Sequence, residues 1–377
     1  MQLLEFPSHY FATEITGRLK EVLSDIVEKV EISSDFCIRH PEYKPLDLPA
    51  EVVARFQALP KQMRDKYLSL QLRSFLYGIY YNGSMQTFLA LDSEENSRPL
   101  DLENNTFLGV EMEFYLQLEE SNKGEGYFDS GWLVLREETD GTLAVTKNGL
   151  RLHIQREKHL QETQKAAVVG DSVAILMPKN LVQNGFYMAV GNLGTQSKVE
   201  SESQSGTVRV YFNVTPEGAV AVMGSLTEKL NEVAVPFSFK VLYNPADYER
   251  YDSGVLYFEK SNYELVRQVL SDVYGENKSY FQSEIPLFTM ELAPGLGLAE
   301  EPDRKFATQE SFGMNRCQII ANGLLKAWQQ GDNSTEGKMK AILEQFSLLG
   351  IDLQRPYLNA NSEDIYQSVG IYTRALP

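Results

Sequence analysis

The most informative part of the chain is residues 207–258, which read TVRVYFNVTPEGAVAVMGSLTEKLNEVAVPFSFKVLYNPADYERYDSGVLYF. In the segments TVRVYFNV and PFSFKVLYN, side chains alternate with the period of two that a β-strand imposes. Between these segments, residues 216–231 carry apolar side chains at helical spacing. We therefore expect two core strands joined by a helix, and a third strand at SGVLYF.

Two of these strands each carry a cation near the middle. Arg209 and Lys240 lie on the face opposite the main apolar stripe of their strands. A cation at such a position is costly unless it meets an anion or water. Arg250 and Asp252 follow in ERYDSGVLYF, and together these charges indicate a face that binds a negative group. The alternative from the pattern alone is that both cations lie on solvated outer faces.

Composition narrows the function classes. The 377 residues are 43% hydrophobic, which is enough for one or two globular cores. The net charge of −17 argues against a general nucleic-acid binder and against binding to an anionic membrane. With only Cys37 and Cys317, a disulfide framework is not indicated. The start MQLLEFPSHYF lacks a signal-peptide pattern and no run approaches a membrane span, so we expect a cytoplasmic protein.

Helical periodicity dominates the first third of the chain. The spacing of apolar residues predicts helices over residues 11–31, 61–81 and 106–120. Composition changes at SNKGEG, and short strand patterns follow, beginning with GWLVLREE. Strands and helices then interleave without a repeat. We predict an α+β fold, in which a mostly helical N-terminal region, residues 1–125, precedes a mixed sheet packed with helices, residues 126–377.

Most standard catalytic motifs are absent from the sequence. It has no phosphate-binding loop ending in Gly-Lys, no hydrolase elbow and no kinase motifs. The four histidines fit no metal-binding pattern. We therefore predict neither a metal site nor a cofactor. Cations without a metal suit the binding and expulsion of a phosphate group.

Four strings in fixed order carry a resemblance to a known family. They are PFSFKVLYNPADYERYDSGVLYF, IPLFTMELAPGLGLAEEP, ESFGMNRCQIIANGL and PYLNANSEDIY. Together they resemble the HopA-type effector family over roughly residues 130–370. Within that family the chain looks most similar to the HopA-like lyases of class V lanthipeptide and thioamitide biosynthesis.

The resemblance implies an activity and a partner. HopA-like lyases act on a ribosomal precursor peptide that a separate aminoglycoside-phosphotransferase-like kinase has phosphorylated on Ser or Thr. The lyase eliminates phosphate and leaves dehydroalanine or dehydrobutyrine. We therefore expect a phosphoserine/phosphothreonine lyase whose partners are the phosphorylated precursor peptide and this kinase, with which it can form a complex. We expect no nucleic-acid or membrane partner.

The chemistry of phosphate elimination assigns roles to particular residues. Arginine binds phosphate through two parallel hydrogen bonds and keeps its charge, so we assign the phosphate clamp to Arg209, Arg250 and Arg316. A lysine acts as a base only when its pKa is lowered, as burial beside other cations does, and we assign this role to Lys240. Asp252 is expected to orient an arginine or a lysine.

The general acid is the least determined role. His153, in the strand pattern GLRLHI, is one candidate, and its alternative is a surface strand histidine. The resemblance implies a histidine at the position of Asn315 in many relatives, and Asn315 has no titratable proton to give. A non-catalytic module that binds a phosphopeptide or a kinase also fits the cationic face, and loss of elimination with retained binding on replacing Lys240 separates it from an enzyme.

Overall fold

The computed structural model describes residues 17–33, 37–46, 50–92, 100–101, 106–107, 109–195 and 206–369. The helices of this part are Arg18–Lys29 (α1), Ala50–Gln57 (α2), Lys61–Leu76 (α3), Gln86–Leu89 (α4), Met112–Ser121 (α5), Arg156–His159 (α6), Pro216–Glu232 (α7), Tyr263–Asn277 (α8), Phe312–Gln329 (α9) and Thr335–Leu349 (α10). A π-helical turn, Tyr77–Tyr81, continues α3. No helix of the described ranges is long and apolar enough to cross a membrane.

The strands are as follows: Glu31–Ile32 (β1), Ile38–His40 (β2), Tyr43–Leu46 (β3), Leu100–Asp101 (β4), Thr106–Phe107 (β5), Tyr127–Glu137 (β6), Leu143–Lys147 (β7), Leu150–Ile154 (β8), Ser172–Met177 (β9), Asn180–Gln183 (β10), Phe186–Val190 (β11), Thr207–Phe212 (β12), Ser238–Leu242 (β13), Gly254–Glu259 (β14), Met290–Ala293 (β15) and Leu296–Glu300 (β16). Helices and strands therefore mix along the chain after a largely helical start, and the predicted α+β class is confirmed.

A seven-stranded antiparallel sheet organises the molecule. Its strand order is β10-β11-β13-β14-β12-β16-β15, so β14 lies between the two strands that carry Arg209 and Lys240. The side chains of Val208, Val210 and Phe212 on β12 are fully buried on one face of this sheet. Because side chains alternate along a strand, Arg209 lies on the other face.

Local sequence signals explain helix α7, which connects β12 to β13. The Thr215 side chain accepts a hydrogen bond from the backbone N–H of Gly218, and Pro216 occupies the first turn, where its missing N–H costs nothing. The helix buries a single stripe against the sheet and α8, made by Ala219, Val222, Met223, Leu226 and Leu230. This stripe holds β12 and β13 in one sheet.

Helix α9 lies near the opposite face of the sheet. Its N-terminal residue Phe312 has its ring centroid 6.4 Å from that of Tyr211 on β12. Helices α3 and α10 pack against α9, and α1 packs against α10. The N-terminal helices therefore share one hydrophobic core with the large sheet, and this core includes residues on both sides of position 125.

A second, four-stranded sheet, in the order β8-β7-β6-β9, has a core of its own. That core is built by residues between Trp132 and Ile175, and it does not include the seven-stranded sheet. Two separate clusters of buried apolar residues therefore exist in the described part of the chain. The division at residues 125 and 126 remains a prediction.

Two predicted helices differ from the structure at their ends. Residues 106–107 form a strand and the helix begins only at Met112, because Gly109 has a positive φ of 123°, which a helix does not accept. The predicted helix at 61–81 changes to a π-helical turn after Leu76. The predicted helix at 11–31 begins at Arg18, and residues 11–16 lie outside the described residues.

The C-terminal segment, residues 351–369, packs along the sheet without regular secondary structure. The buried carboxylate of Glu300 at the end of β16 holds it by accepting hydrogen bonds from Asn359 N, Ser362 Oγ and Tyr366 Oη at 2.9, 2.7 and 3.0 Å. Lys260 Nζ donates to the same carboxylate at 2.7 Å. This segment contains the string PYLNANSEDIY.

Candidate functional site

Arg209 and Lys240 lie on the same face of the seven-stranded sheet. The register pairs Arg209 with Tyr257 and Lys240 with Val255, and both partners lie on β14. Directly opposed residues of antiparallel strands share a face, as do residues two apart on one strand. Tyr211 on β12 also pairs with Val255, so Tyr211 and Lys240 flank the same residue.

A cavity of about 410 Å³ opens over this face. The sheet supplies its floor, the π-helical turn supplies Tyr77 and Tyr81, and the N-terminus of α9 with the loop before it closes one side. The lining includes four cationic side chains, three carboxylates and several aromatic rings. The charged members are Arg209, Lys240, Arg250, Lys305, Asp252, Glu301 and Glu310.

Arg209 is buried and paired at one of its three nitrogens. Its Nε donates to Glu301 Oε2, and its guanidinium carbon lies 5.0 Å from the ring centroid of Tyr257. Burial alone would lower the pKa of Arg209, but Tyr257, Tyr211 and Glu301 raise it, so the cation is stable. Within the described ranges, no hydrogen bond from its two terminal nitrogens is found. These two nitrogens form the fork that binds phosphate.

Lys240 is half-buried against aromatic rings. Its Nζ lies 4.2 Å from the ring centroid of Phe186 and 5.7 Å from that of Tyr257. Tyr257 therefore contacts both Lys240 and Arg209. Neither a hydrogen bond nor an ion pair to Lys240 is found in the described part of the chain. An amino group held by ring faces, without a carboxylate, is available to a ligand.

Arg250 and Asp252 form a buried ion pair beneath the cavity. Arg250 Nε donates to Asp252 Oδ1 at 2.6 Å, and both side chains are at most 5% exposed. Asn82 Nδ2 donates to the same oxygen at 3.1 Å, and Tyr77 Oη donates to Oδ2 at 3.2 Å. Burial would lower the pKa of Arg250, but Asp252 raises it above the ordinary value. Asp252 therefore contacts the guanidinium of Arg250, and its predicted role in the site remains a prediction.

Two of the cationic residues are paired within the chain, whereas Lys240 has no carboxylate partner among the described residues. Arg209 binds Glu301 and Arg250 binds Asp252, so the chain itself balances part of the charge. Both carboxylates line the same cavity as the arginines, so these ion pairs are part of the site. Lys305 also binds Glu301, at the rim. Lys240 is therefore the lining cation without a carboxylate partner in the described part of the chain.

Two buried phenols complete the cavity lining. The hydroxyls of Tyr81 and Tyr211 are buried and interact with each other, and neither has a well-aligned hydrogen bond to any other described residue. Burial raises the pKa of both, so both keep their protons and remain O–H donors. A donor without an acceptor is costly when buried, and an anion in the cavity would supply the acceptor.

Arg316 does not line the cavity, and its predicted place in the phosphate clamp is wrong. Its Nε and Nη2 donate to the carbonyl oxygens of Pro356 and Leu358, both at 3.0 Å, and Nη1 donates to Asn315 Oδ1 at 2.7 Å. Burial lowers its pKa to about 10. The physical reason is that the C-terminal segment supplies carbonyls that occupy the guanidinium. Arg316 therefore anchors that segment.

His153 does not line the cavity either. It lies on β8 in the four-stranded sheet with its side chain 59% exposed, and its Nε2 is 3.9 Å from Glu138 Oε1. The surface-strand alternative describes this position. A group in that position has no contact with the residues that line the cavity.

Three charged residues of the cavity were not predicted from the sequence: Glu301, Lys305 and Glu310. They come from the irregular segment after β16, which carries no periodic signal. Glu310 is buried, its Oε2 accepts from Phe306 N and Asn315 Nδ2, both at 2.9 Å, and its Oε1 has no partner in the described ranges. The adjacent acidic residues in the string GLGLAEEP were the one available hint.

The part of the chain that forms the cavity matches a known protein family. Residues 177–358 match the model of the HopA1 effector protein family. The chain is HopA-like over this range. The match contains β10 to β16 and with them Arg209, Lys240, Arg250 and Asp252, so the predicted HopA-type resemblance is confirmed.

Two solved structures resemble the HopA-like chain. One is the effector protein from Pseudomonas syringae pv. tomato strain DC3000, with 17% identity, 77% of this chain and 90% of that chain covered, and a TM-score of 0.40. The other is the effector protein from Pseudomonas syringae pv. syringae strain 61, with 14% identity, 79% and 98% covered, and a TM-score of 0.40. No protein of curated function shows significant sequence similarity to the chain.

Proposed function

We propose that this HopA-like protein is a phosphoserine/phosphothreonine lyase that acts on a ribosomal precursor peptide, in a dehydration of the lanthipeptide type. The observation that carries the proposal is the placement of Lys240 without a carboxylate partner on the same cavity floor as the guanidinium fork of Arg209. The amino group of Lys240 and the terminal nitrogens of Arg209 are charged donors, and charged donors form the stronger hydrogen bonds to a phosphate.

The reaction divides between these groups as follows. The amine form of Lys240 takes the Cα proton of the phosphorylated residue, and the electron pair forms the Cα=Cβ bond. The Cβ–O bond breaks, and its electrons leave with the phosphate oxygen. Arg209 holds the phosphate through its terminal nitrogens and stabilises the charge that grows on it as the bond breaks. No metal is needed to balance this sequence of bond changes.

The surroundings of the cavity support an anion at this position. The cavity is lined by residues 308–311 and by Met314, so the N-terminus of the 18-residue helix α9 lies beside it. The partial positive charge of a helix N-terminus favours anions. The ion pair between Arg250 and Asp252 fixes a second cation below the floor.

The phosphate donor belongs to the proposal as well. A lyase of this kind needs a phosphorylated substrate, and we propose that a separate aminoglycoside-phosphotransferase-like kinase supplies it. Transfer of the phosphopeptide is efficient when the two enzymes associate, so a complex is expected. Co-purification of the two proteins tests the association, and elution of the lyase as a monomer in the presence of kinase argues against it.

The decisive experiment uses the purified full chain and a synthetic phosphoserine peptide. Elimination lowers the peptide mass by one phosphoric acid and creates a dehydroalanine that adds a thiol. If the mass stays unchanged while the peptide still binds in a fluorescence anisotropy titration, the lyase proposal fails and a phosphopeptide-binding module remains. If neither elimination nor binding occurs, both hypotheses for the cavity, the lyase and the phosphopeptide-binding module, fail.

A further inference from the structure

The proposed elimination leaves one requirement without a residue. A phosphoserine dianion that loses its Cβ–O bond departs as the trianion unless a proton reaches the bridging oxygen. Proton transfer by a positioned side chain accelerates such steps by about a hundredfold or more. His153 is outside the cavity, so the donor must come from the cavity lining.

Tyr211 has the required position. It lies on β12 two residues from Arg209, on the same face, and it flanks Val255 opposite Lys240. An anion held by Arg209 and approached by Lys240 from β13 therefore meets Tyr211 on its other side. Base and acid then act on the two ends of one Cα–Cβ–O unit.

The hydroxyl of Tyr211 has no hydrogen bond to a carboxylate or carbonyl oxygen of the described residues. It is buried beside the cavity, and its polar neighbour there is the hydroxyl of Tyr81. By contrast, the Tyr77 hydroxyl donates to Asp252, so that proton is already engaged. Burial raises the pKa of Tyr211, whereas Arg209 and the nearby Tyr81 hydroxyl lower it in part, which strengthens Tyr211 as an acid relative to an isolated buried phenol.

The position of Tyr81 depends on a close approach to helix α9. A Cβ added to Gly313 would lie 2.3 Å from the Tyr81 ring, so a larger residue there would displace the ring. The ring stacks on Tyr77 with centroids 5.0 Å apart and lies edge-on to Tyr211 at 6.4 Å. Tyr81 therefore acts as a positioning residue for Tyr211.

We propose, on the basis of the proposed lyase function, that Tyr211 is the general acid of the elimination. Its O–H proton passes to the bridging oxygen as the Cβ–O bond breaks, and hydrogen phosphate leaves. The Tyr211 phenolate that remains is stabilised by the Arg209 guanidinium. Solvent then transfers the proton that Lys240 took from Cα to the Tyr211 phenolate. Tyr211 and Lys240 are thereby back in their initial protonation states, and the protons balance over one turnover.

The test compares two leaving groups of the same shape. An O-sulfoserine peptide carries a tetrahedral anion into the same cavity, but sulfate leaves without a proton. Tyr211→Phe removes only the hydroxyl, whose polar neighbour in the described residues is the Tyr81 hydroxyl. We expect Tyr211→Phe to lower kcat for the phosphoserine peptide by about a hundredfold and to leave kcat for the sulfoserine peptide unchanged.

The matched control is Tyr81→Phe, which removes the neighbouring hydroxyl. It should change both substrates to a similar, smaller extent. Equal losses for both substrates in Tyr211→Phe indicate a structural role and overturn the assignment, as does an unchanged phosphoserine rate. A selective loss in Tyr81→Phe instead moves the acid to Tyr81. A wild-type chain that eliminates neither group overturns the lyase function itself, and the assignment with it.

Discussion

Two adjacent carboxylates, Glu300 and Glu301, have opposite surroundings. Glu300 is the register partner of Val208, is 4% exposed, and accepts hydrogen bonds from Lys260 and from three groups of the C-terminal segment. Glu301 binds Arg209, the next residue of β12, and lines the cavity. The Glu300 carboxylate links β16 to the C-terminal segment, whereas the Glu301 carboxylate faces a cavity that a ligand can occupy.

The difference shows how buried charge is used in each region. Around Glu300 and Arg316 the chain supplies a partner for every group, and a saturated buried network stabilises one arrangement of the chain. Around Glu301 the chain supplies partners for Arg209 and Lys305, but the described residues offer no carboxylate to Lys240 and no acceptor beyond each other to the hydroxyls of Tyr81 and Tyr211. Open donors in a concave site indicate binding. Substitutions in the two regions should therefore separate activity from stability.

Lys240→Ala should have the largest effect on activity. Removal of the base is expected to lower the elimination rate by about 10²- to 10⁴-fold, because a general base contributes that much to proton abstraction. Phosphopeptide affinity should fall far less, since Arg209 remains. The measurement is the rate of phosphate loss by mass spectrometry beside an anisotropy titration.

The control for that substitution is Lys338→Ala on helix α10. Lys338 is also largely buried, but its Nζ donates to the carbonyl oxygens of Val27 and Val30 at 3.1 and 3.0 Å. Its loss should lower Tm and leave kcat unchanged below the transition. If Lys240→Ala instead lowers Tm as Lys338→Ala does and leaves the elimination rate unchanged, Lys240 has a structural role and is not the base.

Glu300→Ala should have the largest effect on stability. It leaves Lys260 without its carboxylate and releases the C-terminal segment, and breaking a buried pair costs about 3 kcal/mol. Although burial would raise it, the hydrogen bonds from Asn359, Lys260 and Ser362 hold the pKa of Glu300 below its usual value. The stabilisation is then present above the pKa of the unfolded chain and is lost as pH falls through the lower, folded pKa.

The pH dependence makes this prediction testable without an activity assay. The difference in Tm between the wild type and Glu300→Ala should be constant near neutral pH and shrink below about pH 4, where the carboxylate protonates. Urea titrations at the same pH values provide the free energies of unfolding. A difference that grows on acidification would contradict the assigned direction of the Glu300 pKa.

Arginine-to-lysine substitution at two buried positions sharpens the comparison further. Arg209→Lys keeps the charge but removes the fork, and the loss of one charge-assisted hydrogen bond should weaken phosphopeptide binding by about tenfold. Arg316→Lys also removes a fork, but its partners are the carbonyls of Pro356 and Leu358. It should lower Tm and leave affinity unchanged, and a loss of affinity there would return Arg316 to the site.

The sequence predicted what periodicity and alternation encode. The helical spacing over residues 216–231 corresponds to α7, Pro216–Glu232, and the alternation in TVRVYFNV and PFSFKVLYN placed Arg209 and Lys240 off the main apolar face. Partners that lie far away along the chain were beyond such patterns. Arg316 is satisfied by carbonyls 40 and 42 residues away, and a strand pattern does not say which sheet the strand joins. His153 was assigned to the site for this reason: its strand pattern did not show that the strand belongs to the four-stranded sheet.

His153→Ala should have the smallest effect. The side chain is exposed on the four-stranded sheet, whose core is separate from the one beneath the cavity, and its nearest carboxylate is 3.9 Å away. Surface substitutions of this kind change stability by about 0.5 kcal/mol or less. The elimination rate and its pH profile should match the wild type, as measured in the same mass-spectrometric assay. A large loss of kcat with unchanged affinity would mean that the four-stranded sheet reaches the reacting phosphate, and Tyr211 would then not be the acid.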